Sequence, residues 1–265
     1  PNYFDPARAV RALSALVKYG DIKEMDRSTP ASLSIQEEEA NRKIEQLHQS
    51  NDRVIGLEGL EVLDYYGIPT ISARMATNPD EAADIAEDIG SLVVLKVDSP
   101  QIVHKSDAGG VKVGIEPADV AWEFQSMMDT LNKTQPEADI NGIRIQEMVE
   151  GEEVIVGLKR DPQFGPLVMF GLGGIYVEIL KDVSFRVAPV SRNQARKMVE
   201  SINGYPILKG VRGKEGVEID SLVDIVQRVS KLAVDHPNIE ELDLNPVMAC
   251  PDGSRVADVR FRFSQ

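Results

Sequence analysis

ELDLNPVMACPDGSRVADVRFRF, residues 241–263, decides the fold expected at the end of the chain. Polar and apolar residues alternate on both sides of Cys250-Pro251-Asp252-Gly253. That tetrapeptide suits a type I turn, with proline at the second position and glycine at the fourth. Alternation with a period of two is typical of a strand with one polar and one apolar face. The stretch therefore predicts a β-hairpin with a polar face.

The register of this hairpin brings polar side chains into pairs. A turn at residues 250–253 sets Asn245 opposite Asp258 and Asp243 opposite Arg260. Two oxygen donors on one face suit Mg²⁺, which takes few protein oxygens together with phosphates and water. The alternative is a solvated face held by the Asp243–Arg260 pair. A β-bulge would shift the pairing by one residue.

A second informative stretch is SPQIVHKSDAGGVKVGI, residues 99–115. The runs VVLKV and GVKVGI on its two sides predict antiparallel strands, and the polar connection between residues 98 and 110 is too long for a simple turn. Long ordered loops usually serve a site. Gly109 and Gly110 would let backbone amides approach an anion closely.

Three lysines accompany this loop. Lys96 shares its strand face with apolar neighbours, so it is expected to point inward, and an anion would offset the cost of burying its charge. Lys105 lies in the loop and would supply charge to phosphates. For Lys112 the favoured interpretation is a solvated strand end.

His104 is the one of three histidines with chemically suitable neighbours. A neutral imidazole can attack phosphorus and carry a phosphoryl group if a carboxylate such as Asp107 fixes its tautomer. The alternative is a surface histidine on a polar loop. His48 and His236 are interpreted as structural.

Two further segments carry weaker signals. FGLGGIYVE, residues 170–178, contains Gly173 and Gly174 after an apolar run, yet it lacks the spacing of a dinucleotide fingerprint, and a tight turn is the alternative. IQEMVEGEEV, residues 145–154, is either an ordinary strand, turn and strand or a link between two lobes that presents backbone groups to an adenine edge.

Composition excludes several classes of protein. The 265 residues are 42% hydrophobic and carry a formal charge of −14, with a pI near 4.7, which argues against general nucleic-acid binding. No apolar run reaches the ~20 residues of a membrane helix, and no signal peptide is visible. Cys250 is the single cysteine, so no internal disulfide forms and a cytoplasmic location is expected.

The order of elements predicts an α+β fold in two lobes. An amphipathic helix at residues 5–20 would end at Gly20, and the Ser-, Thr- and Pro-rich stretch after it reads as a linker. We therefore expect an N-terminal helix and linker at residues 1–30, a first lobe at 31–147 and a second lobe at 148–265.

Taken together, these segments resemble the ATP-grasp part of the NDP-forming acyl-CoA synthetases, in particular the beta subunit of ADP-forming acetate–CoA ligases. The likeness rests on residues 93–115 and 146–190, on ILKGVRG, and on ELDLNPV followed by VADVRF. It implies an ATP-grasp fold with the nucleotide between two lobes. The implied reaction is acyl-CoA + ADP + phosphate ⇌ carboxylate + ATP + CoA.

The resemblance also implies a role for each matching position. His104 matches a histidine on a mobile loop that shuttles phosphoryl groups, and Asn245 and Asp258 match ligands of Mg²⁺. The positions that match or adjoin nucleotide contacts are Lys96, Lys105, Gly109, Gly110, Glu147, Met148, Val149, Glu153, Gly173 and Gly174.

No CoA-binding segment and no second histidine like the partner's phosphohistidine were found in the sequence. The resemblance therefore implies a partner, either a separate alpha subunit or a fused domain, that binds CoA and carries that phosphohistidine, and we expect a hetero-oligomer. Two alternatives stay open: a regulatory ATP-grasp domain of a fused protein acyltransferase, and a self-contained carboxylate–amine ligase, which the missing acyl-acceptor domain disfavours.

Overall fold

The computed structural model describes residues 2–24, 33–49, 54–102, 105–174, 182–211, 213 and 215–264. Two antiparallel sheets, each covered by helices, dominate this part of the chain. Within it, no helix is both long and apolar enough to cross a membrane.

The first sheet has four strands in the order β2-β5-β3-β4. Its strands are β2 (Ala73–Ala76), β3 (Val93–Asp98), β4 (Val111–Ile115) and β5 (Gly142–Glu147). One side of β3 and β5 is apolar and buried, and it packs with α4 (Pro79–Ile89) and α5 (Val120–Thr134). The antiparallel pairing of β3 with β4 that the sequence predicts is confirmed.

Local signals set the ends of α4. The Asn78 side chain accepts a hydrogen bond from the Glu81 amide at 3.0 Å, and Pro79 occupies the first turn. The helix ends at Gly90, whose φ of 70° is a left-handed conformation that glycine adopts without strain. These signals agree with a helix that spans Pro79–Ile89.

The second sheet runs in the order β1-β11-β9-β6-β7-β8, with β10 also paired to β9. Its strands are β1 (Val54–Ile55), β6 (Glu152–Asp161), β7 (Gly165–Leu172), β8 (Val183–Val187), β9 (Ile239–Cys250), β10 (Gly253–Val256) and β11 (Val259–Phe263). Helices α6 (Arg192–Glu200), α7 (Tyr205–Leu208) and α8 (Ile219–Asp235) contribute to its core. The long helix α8 buries an apolar stripe that includes Leu222, Val226 and Val229.

The predicted terminal hairpin is confirmed in its register. Gly253 pairs with Cys250 at the turn, and Arg260 pairs with Asp243 on the second arm. The Asn245 amide donates to the carbonyl of Asp258 at 3.2 Å, so these two residues lie opposite each other. The irregularity in this pairing falls at Arg262 and Phe263, beyond the polar residues.

The hydrophobic cores divide the chain differently from the predicted limits of the first lobe. Residues of α2 (Glu37–Gln49) and α3 (Leu60–Tyr65), such as Ile44 and Leu63, belong to the same core as the second sheet. Helices α2 and α3 therefore pack with the later strands, although the sequence placed 31–147 together. The first sheet ends at Glu147 and the second sheet resumes at Glu152, on either side of the predicted 147/148 boundary.

The N-terminal helix α1 (Pro6–Glu24) is longer than predicted. Asp5 accepts a hydrogen bond from the Ala7 amide at 2.9 Å, as expected of a residue before the first turn. The predicted end at Gly20 is wrong, because a helix accommodates one internal glycine at a cost of only about 1 kcal/mol. The predicted linker and its boundary near residue 30 fall at 25–32, outside the described residues.

Candidate functional site

A cleft of about 1010 Å³ lies between the two sheets. One wall comes from the first sheet and the loop after β3, through Val94, Lys96 and Lys105. The opposite wall comes from the second sheet and its terminal hairpin, through Asn245 and Asp258. The segment that joins β5 to β6 closes one side. The predicted site residues that line this cleft are Lys96, Lys105, Glu147, Met148, Val149, Glu153, Asn245 and Asp258.

Lys96 projects from the polar side of β3 toward the second sheet. Its ammonium donates to Gln146 Oε1 at 2.9 Å and to the carbonyl oxygen of Ala257 at 3.1 Å. Burial lowers the pKa of Lys96 to about 8, although the charge of Asp258 opposes the shift. The described partners of this cation are thus neutral oxygens, and an anion in the cleft would be attracted to it.

Asp258 is the carboxylate at which cations from the first sheet converge. Its Oδ2 accepts from the Lys105 ammonium at 3.2 Å, and its Oδ1 lies 3.4 Å from Arg144 Nη1. Burial alone would raise the pKa of Asp258, but Arg144, Lys105 and Lys96 outweigh burial and hold that pKa below its usual value. Asp258 is therefore ionised at neutral pH, as a metal ligand must be.

Arg144 is a site residue that the sequence reasoning missed. Its side chain is only 2% exposed, and it sits beside Lys96 because the two residues pair across β5 and β3. Among the described groups, its Nε and Nη2 atoms have no hydrogen-bond partner, and Nη2 lies 3.9 Å from Asp98 Oδ1. The alternation in GIRIQE, which puts Arg144 and Gln146 on one face, is the signal that could have found both residues.

The donors available to a divalent cation fit Mg²⁺ only together with a nucleotide. Asn245 is exposed and lies opposite Asp258, so the hairpin offers an amide oxygen and a carboxylate on one face. No cluster of three or more His, Cys, Asp or Glu side chains that could hold a metal ion is found among the described residues. Mg²⁺ accepts such a sparse set of protein ligands because phosphates and water complete its shell.

The predicted link between the lobes includes the end of β5 and the segment that follows it. The Met148 amide donates to the carbonyl of Leu92 at 2.9 Å, which fastens the start of the connection to the first sheet. Glu147 and Val149 flank Met148 and line the cleft with it. Glu153, at the start of β6, is exposed and faces the same space.

Neither predicted glycine pair is among the residues that line the cleft. The Gly173 amide donates to the carbonyl of Glu153 at 2.7 Å, and Gly174 has a φ of 58° beside the Glu153 carboxylate. In the loop, the Gly109 amide donates to Ser106 and the Gly110 amide to Lys105. Both loop amides are engaged in turn hydrogen bonds, so the predicted contact with an anion would require these bonds to open.

His104 lies outside the described residues, so its position and its partner stay a prediction. The three residues that follow it, Lys105, Ser106 and Asp107, line the cleft. Of the other histidines, His236 is buried with its Nε2 2.9 Å from the Tyr66 hydroxyl, and His48 Nε2 lies 3.2 Å from the carbonyl oxygen of Ser264. Both contacts are distant from the cleft lining and agree with structural roles.

Comparison with known proteins places this chain in a family. The sequence pattern of the ATP-grasp domain matches residues 45–263. The acetate–CoA ligase [ADP-forming] I of Archaeoglobus fulgidus is 50% identical over 262 residues, which are 98% of this chain and 38% of that protein. The beta subunit of the acetate–CoA ligase [ADP-forming] I of Pyrococcus furiosus is 48% identical over 83% of this chain and 96% of the subunit.

A solved structure agrees with these matches. It is the dinucleotide-forming acetyl-coenzyme A synthetase 1 of Candidatus Korarchaeum cryptofilum in complex with coenzyme A and Mg-AMPPCP, with a phosphohistidine segment pointing towards the nucleotide-binding site. Its TM-score is 0.74 at 38% identity, over 85% of this chain and all of the matched chain. The present chain thus spans a little over a third of the A. fulgidus protein and nearly all of the P. furiosus subunit.

The two lobes, the cleft between them and these matches lead to one assignment, and it confirms the predicted fold. The chain belongs to the ATP-grasp family, in the group formed by the beta subunits of ADP-forming acetate–CoA ligases and the corresponding parts of longer ligases.

Proposed function

We propose that this chain is the nucleotide-binding half of an ADP-forming acyl-CoA synthetase. In the proposed reaction, acyl-CoA, ADP and phosphate are converted to a carboxylate, ATP and CoA. The observation that carries the proposal is that Lys105 and Arg144 both pair with Asp258, while Lys96 lies beside them on the carbonyl oxygen of Ala257. A cleft that concentrates cations beside one carboxylate suits a phosphate chain with a bound metal.

The cations in the cleft would bind and orient the diphosphate. Lys96 is held by two neutral oxygens and can approach a phosphate without breaking an ion pair. Lys105 would exchange its contact with Asp258 for a phosphate oxygen, which frees the carboxylate. Preorganised donors of this kind each contribute about 3 kcal/mol to the stability of a charged transition state.

Asn245 and Asp258 are the residues proposed to hold Mg²⁺. The ion, when bound with the nucleotide, would neutralise phosphate charge that opposes phosphoryl transfer. The protein contributes the amide oxygen and the ionised carboxylate, which the hairpin register fixes opposite each other.

His104 is the residue proposed to carry the phosphoryl group. A partner that binds CoA would form a phosphohistidine, and the neutral imidazole of His104 would attack that phosphorus, so that one P–N bond forms as the other breaks. A terminal oxygen of ADP would then attack phosphorus on His104, which yields ATP and returns the imidazole to its neutral form. Charge neutralisation by Lys96 and Lys105 supports a transfer of this kind in the cleft.

A chimera tests the proposal directly. The part of the A. fulgidus ligase that lies outside the match with this chain is joined to this chain, and ATP formation from acetyl-CoA, ADP and phosphate is measured. We expect ATP formation, and we expect His104→Ala to abolish it while Mg²⁺-ADP still binds. His48→Ala, which changes a histidine distant from the cleft, is the matched control and should retain activity. Unchanged ATP output from His104→Ala would refute the shuttle.

A titration separates this proposal from the regulatory alternative. The isolated chain should bind Mg²⁺-ADP, because the residues proposed to hold the metal and the diphosphate all lie in this chain. An isolated chain that does not bind Mg²⁺-ADP in a calorimeter would favour a regulatory domain. Acid-dependent ATP hydrolysis by the chain alone would instead indicate a self-contained ligase.

A further inference from the structure

The helix α1 exposes an apolar stripe. Val10, Leu13, Leu16 and Val17 recur at helical spacing, and they are 66%, 62%, 67% and 58% exposed. Among the residues that the structure describes, neither sheet covers this stripe, and it is absent from both hydrophobic cores. An amphipathic helix in a folded protein normally buries such a stripe, and a contiguous exposed one indicates an interaction surface.

The opposite side of α1 has a different character. Arg8, Arg11 and Ala15 lie there, and all three are exposed. Small and charged side chains on this side give little reason for burial. The asymmetry limits the interaction surface to the stripe of Val10, Leu13, Leu16 and Val17, which we call the α1 stripe.

The comparisons indicate what covers the α1 stripe. The match with the longer A. fulgidus ligase includes 98% of this chain, so it includes α1. The match with the P. furiosus beta subunit includes 83% of this chain but 96% of the subunit, which leaves that subunit little room for such a helix. The ATP-grasp pattern begins at residue 45, so α1 lies outside the part of the chain that this pattern covers.

We propose that the α1 stripe docks on an apolar surface of the remainder of the enzyme, the part that corresponds to the A. fulgidus ligase outside the match with this chain. The inference rests on the proposed function only in that the chain works as one half of a larger enzyme. It does not depend on His104 or on nucleotide binding. In this arrangement, α1 fastens the nucleotide-binding half to the half that supplies the phosphoryl group.

Hydrogen exchange in the chimera of this chain with that A. fulgidus part tests the docking. Amides of α1 should exchange at least about tenfold more slowly in the chimera than in the isolated chain, because a covered helix opens less often. Leu13→Glu with Leu16→Glu should remove this protection. The control Arg11→Glu with Ala15→Glu places acidic side chains on the opposite side and should retain it. Mg²⁺-ADP binding checks that each variant is folded, and it should be the same in all of them.

Three outcomes would overturn the inference. The first is equal exchange of α1 in the chimera and in the isolated chain. The second is protection that survives Leu13→Glu with Leu16→Glu, since the stripe would then not be the contact. The third is protection of α1 in the isolated chain that rises with its concentration, because the occupant would then be a second copy. Loss of ATP formation in His104→Ala leaves α1 protection unchanged, so failure of the catalytic proposal is distinguishable.

Discussion

The ammonium of Lys105 lies 3.2 Å from Asp258 Oδ2, and this ion pair joins the loop after β3 to the terminal hairpin across the cleft. Both side chains are about one-fifth exposed. Asp258, which is proposed to hold Mg²⁺, is thus already paired with a cation. Lys105, which follows His104 in sequence, is held at this carboxylate. The metal and Lys105 therefore compete for one carboxylate, and the phosphates compete with that carboxylate for Lys105.

This competition predicts opposite effects for the substitution Lys105→Met. Without Lys105, Asp258 loses a cation, so Mn²⁺ alone should bind more tightly by about fivefold, the equivalent of roughly 1 kcal/mol for a partly exposed ion pair. ADP, which loses a cationic partner, should bind more weakly by a similar factor. Paramagnetic relaxation for Mn²⁺ and calorimetry for ADP measure the two effects. Lys133→Met, which removes an exposed lysine from α5, should change neither.

The lowered pKa of Lys96 predicts that binding depends on pH. Burial brings this pKa to about 8, so the ammonium that attracts phosphate is lost as the pH rises above that value. Affinity for Mg²⁺-ADP should fall between pH 8 and 9 by up to about tenfold, which calorimetry at several pH values would detect. Lys96→Met should bind weakly and without this pH dependence. A wild-type affinity that stays level to pH 9 would contradict the assignment of Lys96.

The lowered pKa of Lys96 also predicts how the free energy of unfolding changes with pH. Since the pKa of Lys96 is lower in the folded protein than its ordinary value of 10.5, the unfolded chain binds the proton more tightly. The contribution of Lys96 to the free energy of unfolding therefore rises with pH between about 8 and 10.5. Urea unfolding of wild type and Lys96→Met across this range isolates the contribution. The prediction would be contradicted if the free energy of unfolding of wild type, relative to that of Lys96→Met, fell as the pH rises across this range.

The buried guanidinium of Arg144 predicts a separation of stability from binding. Two of its nitrogen atoms lack described partners, so Arg144→Met should lower the free energy of unfolding by less than about 1 kcal/mol, or raise it. The affinity for Mg²⁺-ADP should fall severalfold because a cation near the phosphates is lost. Arg144→Lys, which keeps the charge, should recover part of that affinity. A large loss of stability with unchanged affinity would assign Arg144 a purely structural role.

Local sequence patterns predicted the elements that carry the site. Period-two alternation fixed the hairpin register, and hence the position of Asn245 opposite Asp258, because a strand slip by one residue would bury its polar side chains. The ends of α4 are likewise set by residues next to it in sequence, Asn78, Pro79 and Gly90. These features depend on neighbours in sequence, and so one sequence is enough to predict them.

Features that depend on distant packing were not predicted. Arg144 looked like one polar residue in an apolar strand, and only the meeting of the two sheets makes it a neighbour of Asp258. The assignment of Ile44 and Leu63 to the core of the second sheet likewise depends on long-range packing. Gly109 and Gly110 suggested free amides, whereas the folded loop uses both in its own turn.

The packing of α2 and α3 in the core of the second sheet leads to a prediction about the free energy of unfolding. The hydroxyl of Tyr66 lies 2.7 Å from Asp235 Oδ2 and 2.9 Å from His236 Nε2, and the side chain is buried. Tyr66→Phe should lower the free energy of unfolding by about 1–3 kcal/mol, because buried partners are left unsatisfied. Tyr65→Phe, at the neighbouring and less buried position, should cost well under ~1 kcal/mol. Equal effects in urea unfolding would show that the buried contact contributes nothing specific.

The most direct measurement is a crystal structure of this chain with Mn²⁺ and ADP, in which anomalous scattering locates the metal. We predict a manganese peak within ligand distance of both Asn245 and Asp258, and the diphosphate beside Lys96. In Asp258→Asn crystals grown under the same conditions, the peak should weaken or vanish. ADP bound elsewhere, or manganese away from this hairpin, would contradict the central claim that the cleft between the two sheets holds the metal-bound nucleotide.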